Sequence, residues 1–108
     1  MQKFTNELKF TAGSLLELIV LKMLSRRSYS VDEIYNSLKE IGFKTPKGSI
    51  YPLINRLRKN ALIACGREES ETGRKMMTYE LTEKGRLHLK ELRSDWNRLN
   101  SLIARLGS

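Results

Sequence analysis

The sequence has one cysteine, Cys65, two prolines and no uncharged apolar run longer than the five residues Ala61–Cys65. A single cysteine excludes an intrachain disulfide and an intrachain zinc site built from several cysteines. The apolar run is far too short to span a bilayer. No long apolar stretch follows a basic start, so a signal peptide is not expected. These absences predict a cytoplasmic protein with no membrane partner.

The residues that most enzyme chemistries require are also scarce. The chain has one histidine, His88, and no glycine-rich phosphate loop. We interpret His88 as a partly exposed residue near the start of a helix. Asp32 and Glu33 are adjacent, and neighbours on a helix point in different directions, so they are a poor general acid/base pair. The sequence therefore predicts no catalytic residue, no metal site and no cofactor.

Basic residues, by contrast, are abundant. The 108 residues include 20 Lys and Arg against 12 Asp and Glu, a formal net charge of +8. Residues 44–81 alone contain 8 basic and 4 acidic residues, so the excess lies within the chain and not in a terminal arm. At 40% hydrophobic and 30% charged, the composition is that of one globular domain. The charge indicates a polyanionic partner.

Residues 13–27 form the first strong pattern, which is apolar on all sides except for Glu17 and Lys22. A leucine-rich run of this length without a turn signal favours a helix over a strand. A helix that is apolar all round must be buried on two sides. We therefore expect one side in the chain's own core and the other against a second subunit. Phe4 and Leu8, one turn apart, are compatible with an upstream extension of this helix.

A second helix is predicted over residues 31–41. Ser30 and Glu33 form a capping-box pattern at its start, because each side chain can satisfy a free backbone N–H of the other. Gly42 is a typical residue to end it. Apolar residues recur between them at helical spacing.

A third helix is predicted over residues 46–60. Thr45 is the expected N-cap, Pro46 the first helical residue, and Asn60 the residue that takes the left-handed stop conformation. Pro52 lacks a backbone N–H, so a loosened or bent start is expected. One apolar stripe recurs at helical spacing: Ile50, Leu53, Ile54 and Leu57.

A hairpin and a long helix follow. Residues 62–65 and 77–81 are strand-like and flank a polar tip over 66–75 that has glycine at its ends. Thr82 is the expected cap of a last helix with a heptad seam: Leu89, Leu92, Trp96, Leu99, Ile103 and Leu106. The order of elements predicts a mainly α protein with a small β-hairpin. The predicted organisation is a winged helix-turn-helix domain over 1–81, with the wing at 62–81, followed by a C-terminal dimerisation helix over 82–108.

The helix over 46–60 is the predicted recognition helix, because the face opposite its apolar stripe has no acidic residue. Small residues at its start allow close approach to phosphate at a helix N-terminus. Asn55 could read an adenine edge, and Arg56 a guanine or a phosphate. In the wing, Arg74 and Lys75 could reach the DNA backbone or the minor groove. The predicted DNA-binding residues are Lys47, Gly48, Ser49, Tyr51, Pro52, Asn55, Arg56, Lys59, Arg74 and Lys75.

The second expected partner is another copy of the chain, in a homodimer. A long helix with a Leu and Trp seam is not stable alone in water, so the seam must pack on another surface. The first helix offers that surface, which predicts a C2 dimer with recognition helices roughly 34–36 Å apart on a palindromic operator. Trp96 either packs in the dimer core or forms the floor of a ligand cavity, or does both. The predicted dimerisation residues are Leu16, Ile19, Val20, Met23, Leu92, Trp96, Leu99 and Ile103.

Three stretches together resemble the PadR-like family of winged-helix transcriptional regulators, in its short subgroup with a single C-terminal helix. The most specific is GSIYPLINRL over residues 48–57, which is similar to the family's recognition helix; residues 12–24 and 73–85 resemble its first helix and wing return. The resemblance implies a dimeric repressor released by a small effector, such as a planar aromatic compound held by a tryptophan corresponding to Trp96. Val31-Asp32 and Ala61 replace a Gly-Tyr pair and a glycine of the family.

Two other functions are compatible with the pattern. A winged helix can be a protein-interaction adaptor, with the Leu and Trp seam receiving a partner helix and no preference among DNA sequences. A small RNA-binding protein fits less well, because only 7% of the residues are aromatic and no stacking platform is evident.

Overall fold

The computed structural model describes residues 10–69 and 71–107, so Phe4 and Leu8 lie outside the described residues. The predicted fold class is confirmed: four helices and a two-stranded antiparallel hairpin form a winged helix-turn-helix followed by a long C-terminal helix. No helix within the described part of the chain could cross a membrane. The elements are α1 (Ala12–Leu24), α2 (Val31–Glu40), a 3-10 turn (Lys47–Ser49), α3 (Ile50–Lys59), β1 (Ile63–Glu69), β2 (Lys75–Leu81) and α4 (Glu83–Arg105).

The first two helices are capped by short polar side chains. Thr11 and Ser14 form a capping box at the start of α1. In α2 the predicted box is confirmed: Glu33 N donates to Ser30 Oγ at 3.1 Å, and Ser30 N donates to Glu33 Oε1 at 2.9 Å. Gly42, at φ 86°, takes the left-handed conformation just after α2, also as predicted. Local chemistry therefore sets both ends of α2.

The start of the recognition helix differs from the prediction. Pro46 is extended and precedes a 3-10 turn, so Thr45 is not the N-cap and Pro46 is not helical. The α-helical part begins only at Ile50, which places Pro52 in the first turn, where a backbone N–H has no helical partner. The predicted loosened start is present as the 3-10 turn that precedes Ile50.

The end of α3 also corrects a prediction. Asn60 has φ −90°, and the next residue, Ala61, takes the left-handed conformation at φ 60°. Ala61 N donates to Arg58 O at 2.9 Å, and Leu62 N donates to Leu57 O at 2.9 Å. This pair of bonds is a Schellman motif, in which the left-handed residue is usually glycine. Asn60 was the wrong residue because Leu62, buried two positions later, sets where the chain turns.

The hairpin is longer than predicted and its tip is shorter. Its register pairs Ile63 with Leu81 at one end and Glu69 with Lys75 at the other. Tyr29, in the loop after α1, adds a bridge to the outer edge of β2, with Tyr79 N donating to Tyr29 O at 2.8 Å. The wing is therefore anchored to the helical part of the domain at the middle of β2.

One core joins the three short helices, the base of the hairpin and the first half of α4. The fully buried side chains come from α1, α2 and α3: Val20, Leu21, Ile34, Leu38, Ile50, Ile54 and Leu57. As predicted, Thr82 caps α4, accepting from Gly85 N at 3.0 Å. Leu89 and Leu92 then close the core. Two predicted dimerisation residues, Val20 and Leu92, thus lie inside the chain's own core and are not available to a partner.

Candidate nucleic-acid interface

The exposed side of α3 and of the 3-10 turn before it is the candidate interface. The predicted stripe of α3 faces the core, and Tyr51, on the other side, is 49% exposed. A helix with one buried face must present the opposite face to solvent. All eight residues predicted on this element are exposed: Lys47, Gly48, Ser49, Tyr51, Pro52, Asn55, Arg56 and Lys59.

Arg56 differs from its neighbours on α3 because a side chain from α1 binds it. Its Nη2 donates to Oε1 of Glu17 at 2.9 Å, yet its side chain is 52% exposed. Glu17, on α1, is itself buried, and its Oε2 lies 2.6 Å from Nε2 of His88 on α4. His88 is partly exposed on a helix, as interpreted from the sequence, but it also has this specific partner. Glu17 was missed as a functional candidate, although an acid inside an otherwise apolar helix is a signal.

Lys47 is held by an acid from α2. Its Nζ forms an ion pair with Asp32 and lies 6.0 Å from the centre of the Tyr35 ring. The hydrogen bond to Asp32 raises the pKa of Lys47 above its ordinary value. Asp32 therefore places one negative charge beside the 3-10 turn and α3, which have no acidic residue themselves.

The wing presents basic and acidic residues together. Arg74 and Lys75 are exposed, and Lys75 pairs across the hairpin with Glu69. Arg67 is opposite Met77, two register positions further from the tip than Lys75. Glu68 accepts a hydrogen bond from Ser28 Oγ at 2.7 Å, which ties β1 to the loop after α1. One acid of the wing thus has a local structural role.

The heptad seam of α4 becomes more exposed towards the C-terminal end of the helix. Its first half is buried in the core, whereas Ile103 is 55% exposed and Leu106 is 85% exposed. Leu99, between the two halves, is half-buried. On α1, Leu16, Ile19 and Met23 are partly buried against the core. An exposed apolar stripe of this kind on a long helix is typical of a surface that a partner covers.

A groove of about 560 Å³ lies between α1, the end of α2 and α4. Trp96 forms one side of it and is 36% exposed. The ring of Trp96 packs against Phe10, with centroids 5.6 Å apart. The remaining lining combines apolar and charged side chains: Leu18, Ile19, Lys22, Met23, Arg26, Tyr29, Ser37, Glu40, Ile41 and Arg93. The groove has the apolar surface and the few polar groups that small-molecule sites require.

The sequence model of the Transcriptional regulator PadR-like family matches residues 20–91, which is most of the winged helix and the first nine residues of α4. The chain belongs to this family. The PadR-like resemblance noted in the recognition stretch is therefore confirmed. Members of the PadR-like family are transcriptional regulators and not enzymes. No curated protein matches the chain by sequence.

Solved structures of bacterial transcriptional regulators share the fold. A PadR-like transcriptional regulator from Bacillus cereus is 30% identical, with 87% of this chain and 92% of that chain covered and a TM-score of 0.80. A Streptococcus transcriptional regulator is 27% identical, with coverage of 92% and 100% and a TM-score of 0.84. Bacillus subtilis PadR, solved in complex with operator DNA, is 22% identical, with coverage of 71% and 44% and a TM-score of 0.63.

Proposed function

We propose that this PadR-like protein binds a palindromic operator in double-stranded DNA as a homodimer, and that it represses transcription until a small effector releases it. The observation that carries the proposal is the exposed, acid-free face of α3 with the 3-10 turn before it. The formal net charge of +8 per chain adds long-range attraction for DNA. Bacillus subtilis PadR, which has the same fold, was solved with operator DNA, and this supports the proposal.

On this proposal α3 enters the major groove, and its residues divide into two groups. Tyr51 and Asn55 read base edges, since an asparagine amide can form two hydrogen bonds with adenine. The backbone around Gly48 and Ser49 approaches a phosphate, because neither side chain blocks it. Lys47 and Lys59 contact phosphates and set the orientation of the helix, while Arg56 contacts a guanine edge. Pro52, exposed in the first turn of α3, lies against the DNA without donating a backbone hydrogen bond.

The wing supplies the second contact on the DNA. Arg74 and Lys75 are exposed at the far end of the hairpin. A hairpin beside a recognition helix can reach the sugar-phosphate backbone or the minor groove next to it. Because Glu69 lies opposite Lys75, we expect a directed contact and not general attraction.

The dimer forms through α4 and the outer side of α1. Trp96, Leu99 and Ile103 leave apolar surface that the described part of the chain does not cover. Leu16, Ile19 and Met23, which are only partly buried, continue that surface on α1. A C2 arrangement would present two α3 helices roughly one DNA turn apart, which matches a palindrome.

The proposed effector is a planar aromatic molecule bound in the groove beside Trp96. Trp96 is 36% exposed, so its indole can stack on a flat ring. The groove also lies along α1 and α4, where the partner is proposed to pack, so a ligand there would act on the dimer. An effector that favours a different spacing of the two α3 helices would weaken operator binding.

A selection of duplexes from a random library, followed by gel shift, tests DNA recognition. We expect the wild-type protein to enrich one palindromic sequence. Asn55→Ala should weaken binding to that operator about tenfold or more, as expected when a bidentate base contact is lost. The matched control is Asn36→Ala, an exposed asparagine on α2. Equal operator affinity in both variants would contradict the assigned face.

A protein-interaction adaptor is the second candidate, and the exposed half of the α4 seam favours it. On that hypothesis a helix of another protein covers Ile103 and Leu106, and α3 has no sequence preference. The same selection separates the two functions, because an adaptor would enrich no duplex sequence.

A further inference from the structure

Glu17 is the one buried acid among the described residues, and its position needs an explanation. It lies in the middle of α1, in a helix that is otherwise almost entirely apolar, and only 9% of its side chain is exposed. Removing a carboxylate from water is costly unless both of its oxygens have partners. Here both are occupied, Oε1 by Arg56 at 2.9 Å and Oε2 by His88 at 2.6 Å.

The partners come from two different helices, and one of them is the candidate recognition helix. Arg56 projects from α3, 39 positions along the chain from Glu17. A guanidinium has five N–H donors, and the bond to Glu17 uses one of them. The half of the Arg56 side chain that is exposed therefore still has donors for DNA. A side chain already held in place loses less conformational entropy when it binds.

We propose that Glu17 is a positioning residue for DNA recognition. It fixes the Arg56 guanidinium at the surface of α3, in the orientation in which it contacts the operator. The proposal rests on the function proposed above, because it requires α3 to bind DNA. His88 holds the second carboxylate oxygen, so the orientation of Glu17, and through it that of Arg56, also depends on α4.

The proposal differs from a purely structural role in what it predicts for specificity. Glu17→Gln keeps nearly the same shape but loses the charge that holds the guanidinium. A freed Arg56, with one negative charge fewer beside it, is still attracted to any phosphate, so binding to random DNA should not weaken. Binding to the operator should weaken, because an unheld arginine must be ordered on binding. The ratio of operator affinity to random-DNA affinity is therefore the informative quantity.

The experiment measures both affinities by fluorescence anisotropy, with the operator selected by the wild-type protein and a scrambled duplex of equal length. The variants are Glu17→Gln, Arg56→Ala, the double variant and Glu80→Gln. Glu80 is the matched control, since it is exposed on β2, away from Glu17, Arg56 and His88, and its loss changes the net charge equally. We expect Glu17→Gln to lower the affinity ratio about tenfold, the effect of one well-placed base contact. The double variant should match Arg56→Ala alone, and Glu80→Gln should keep the wild-type ratio.

Urea unfolding of the same proteins separates positioning from stability. Should Glu17→Gln fail to fold, Glu17→Asp replaces it, because it keeps the charge but withdraws the carboxylate by one methylene. The expected result is again a lower ratio, now without a change in net charge. An unchanged ratio in a folded variant, or effects of Glu17→Gln and Arg56→Ala that simply multiply, would overturn the positioning role while DNA binding stands. A wild-type protein that selects no sequence would overturn both proposals.

Discussion

Phe10 and Trp96 form a ring pair, with centroids 5.6 Å apart and planes inclined by 46°. Phe10 precedes α1 and Trp96 lies in the middle of α4, so the pair joins the two elements proposed to form the dimer. A tilted pair at this distance is a favourable aromatic geometry. It covers part of the indole and leaves the part that lines the groove.

Trp96 is the single tryptophan, so its fluorescence reports directly on the groove. We expect flat aromatic compounds to quench this emission saturably, because stacking on the indole occupies a finite site. Free N-acetyl-tryptophanamide, titrated in parallel, corrects for absorption by the ligand. Quenching of the protein that rises linearly, as it does for the free amide, would leave Trp96 with a packing role alone.

A single charged substitution at the exposed end of α4 tests the oligomeric state. We expect the wild-type chain to be a dimer at micromolar concentration in sedimentation equilibrium. Ile103→Asp places a carboxylate on the apolar seam and should shift the dimer towards monomers, since an unpaired buried charge is strongly unfavourable. Ser101→Asp adds the same charge to a neighbouring exposed position, nearly opposite on the helix, and should remain dimeric. A monomeric wild-type chain would contradict the dimer.

Gly85 marks a close approach between α4 and the loop that follows α3. A Cβ added there would lie 2.0 Å from the carbonyl oxygen of Leu62 and 2.8 Å from Cδ1 of Leu81. Gly85→Ala should therefore destabilise the fold by about 3 kcal/mol, at the upper end of overpacking effects. Gly48→Ala is the control, because a Cβ at Gly48 meets nothing within 4 Å. Equal unfolding free energies for the two variants in urea would contradict this packing.

The elements that follow from neighbouring residues could be predicted from the sequence. The Ser30 and Glu33 capping box, Gly42 and the Thr82 cap each depend on groups three or fewer positions apart, and all three are confirmed. Helical periodicity likewise separates the buried stripe of α3 from its exposed face. The order of these elements along the chain then predicted the winged helix-turn-helix, which is confirmed.

The features that depend on distant residues could not be predicted in this way. The Glu17 carboxylate meets residues 39 and 71 positions away, and no local pattern specifies which oxygen binds which partner. The sequence of an all-apolar helix does not specify which side Val20 is on, and only the packed core shows that it is buried. The predicted start of α3 was wrong. Thr45 and Pro46 satisfy the local rule for a helix N-terminus, but the chain forms a 3-10 turn before the α-helix begins.

A stabilising substitution can be predicted at the end of α3, where the local preference of the residues and the packing of the core again disagree. Asn60 has the better intrinsic tendency for the left-handed conformation, but burial of Leu62 places the turn one residue later, on Ala61 at φ 60°. A left-handed alanine costs roughly 1–2 kcal/mol, and glycine removes that cost while adding some freedom to the unfolded chain. Ala61→Gly should therefore raise the unfolding free energy by about 0.5–1 kcal/mol. Ala64→Gly, at an exposed position of β1, is the control and should lower it, because glycine weakens a strand. If both substitutions destabilise equally in urea, the left-handed conformation of Ala61 is not the one that limits stability at this turn.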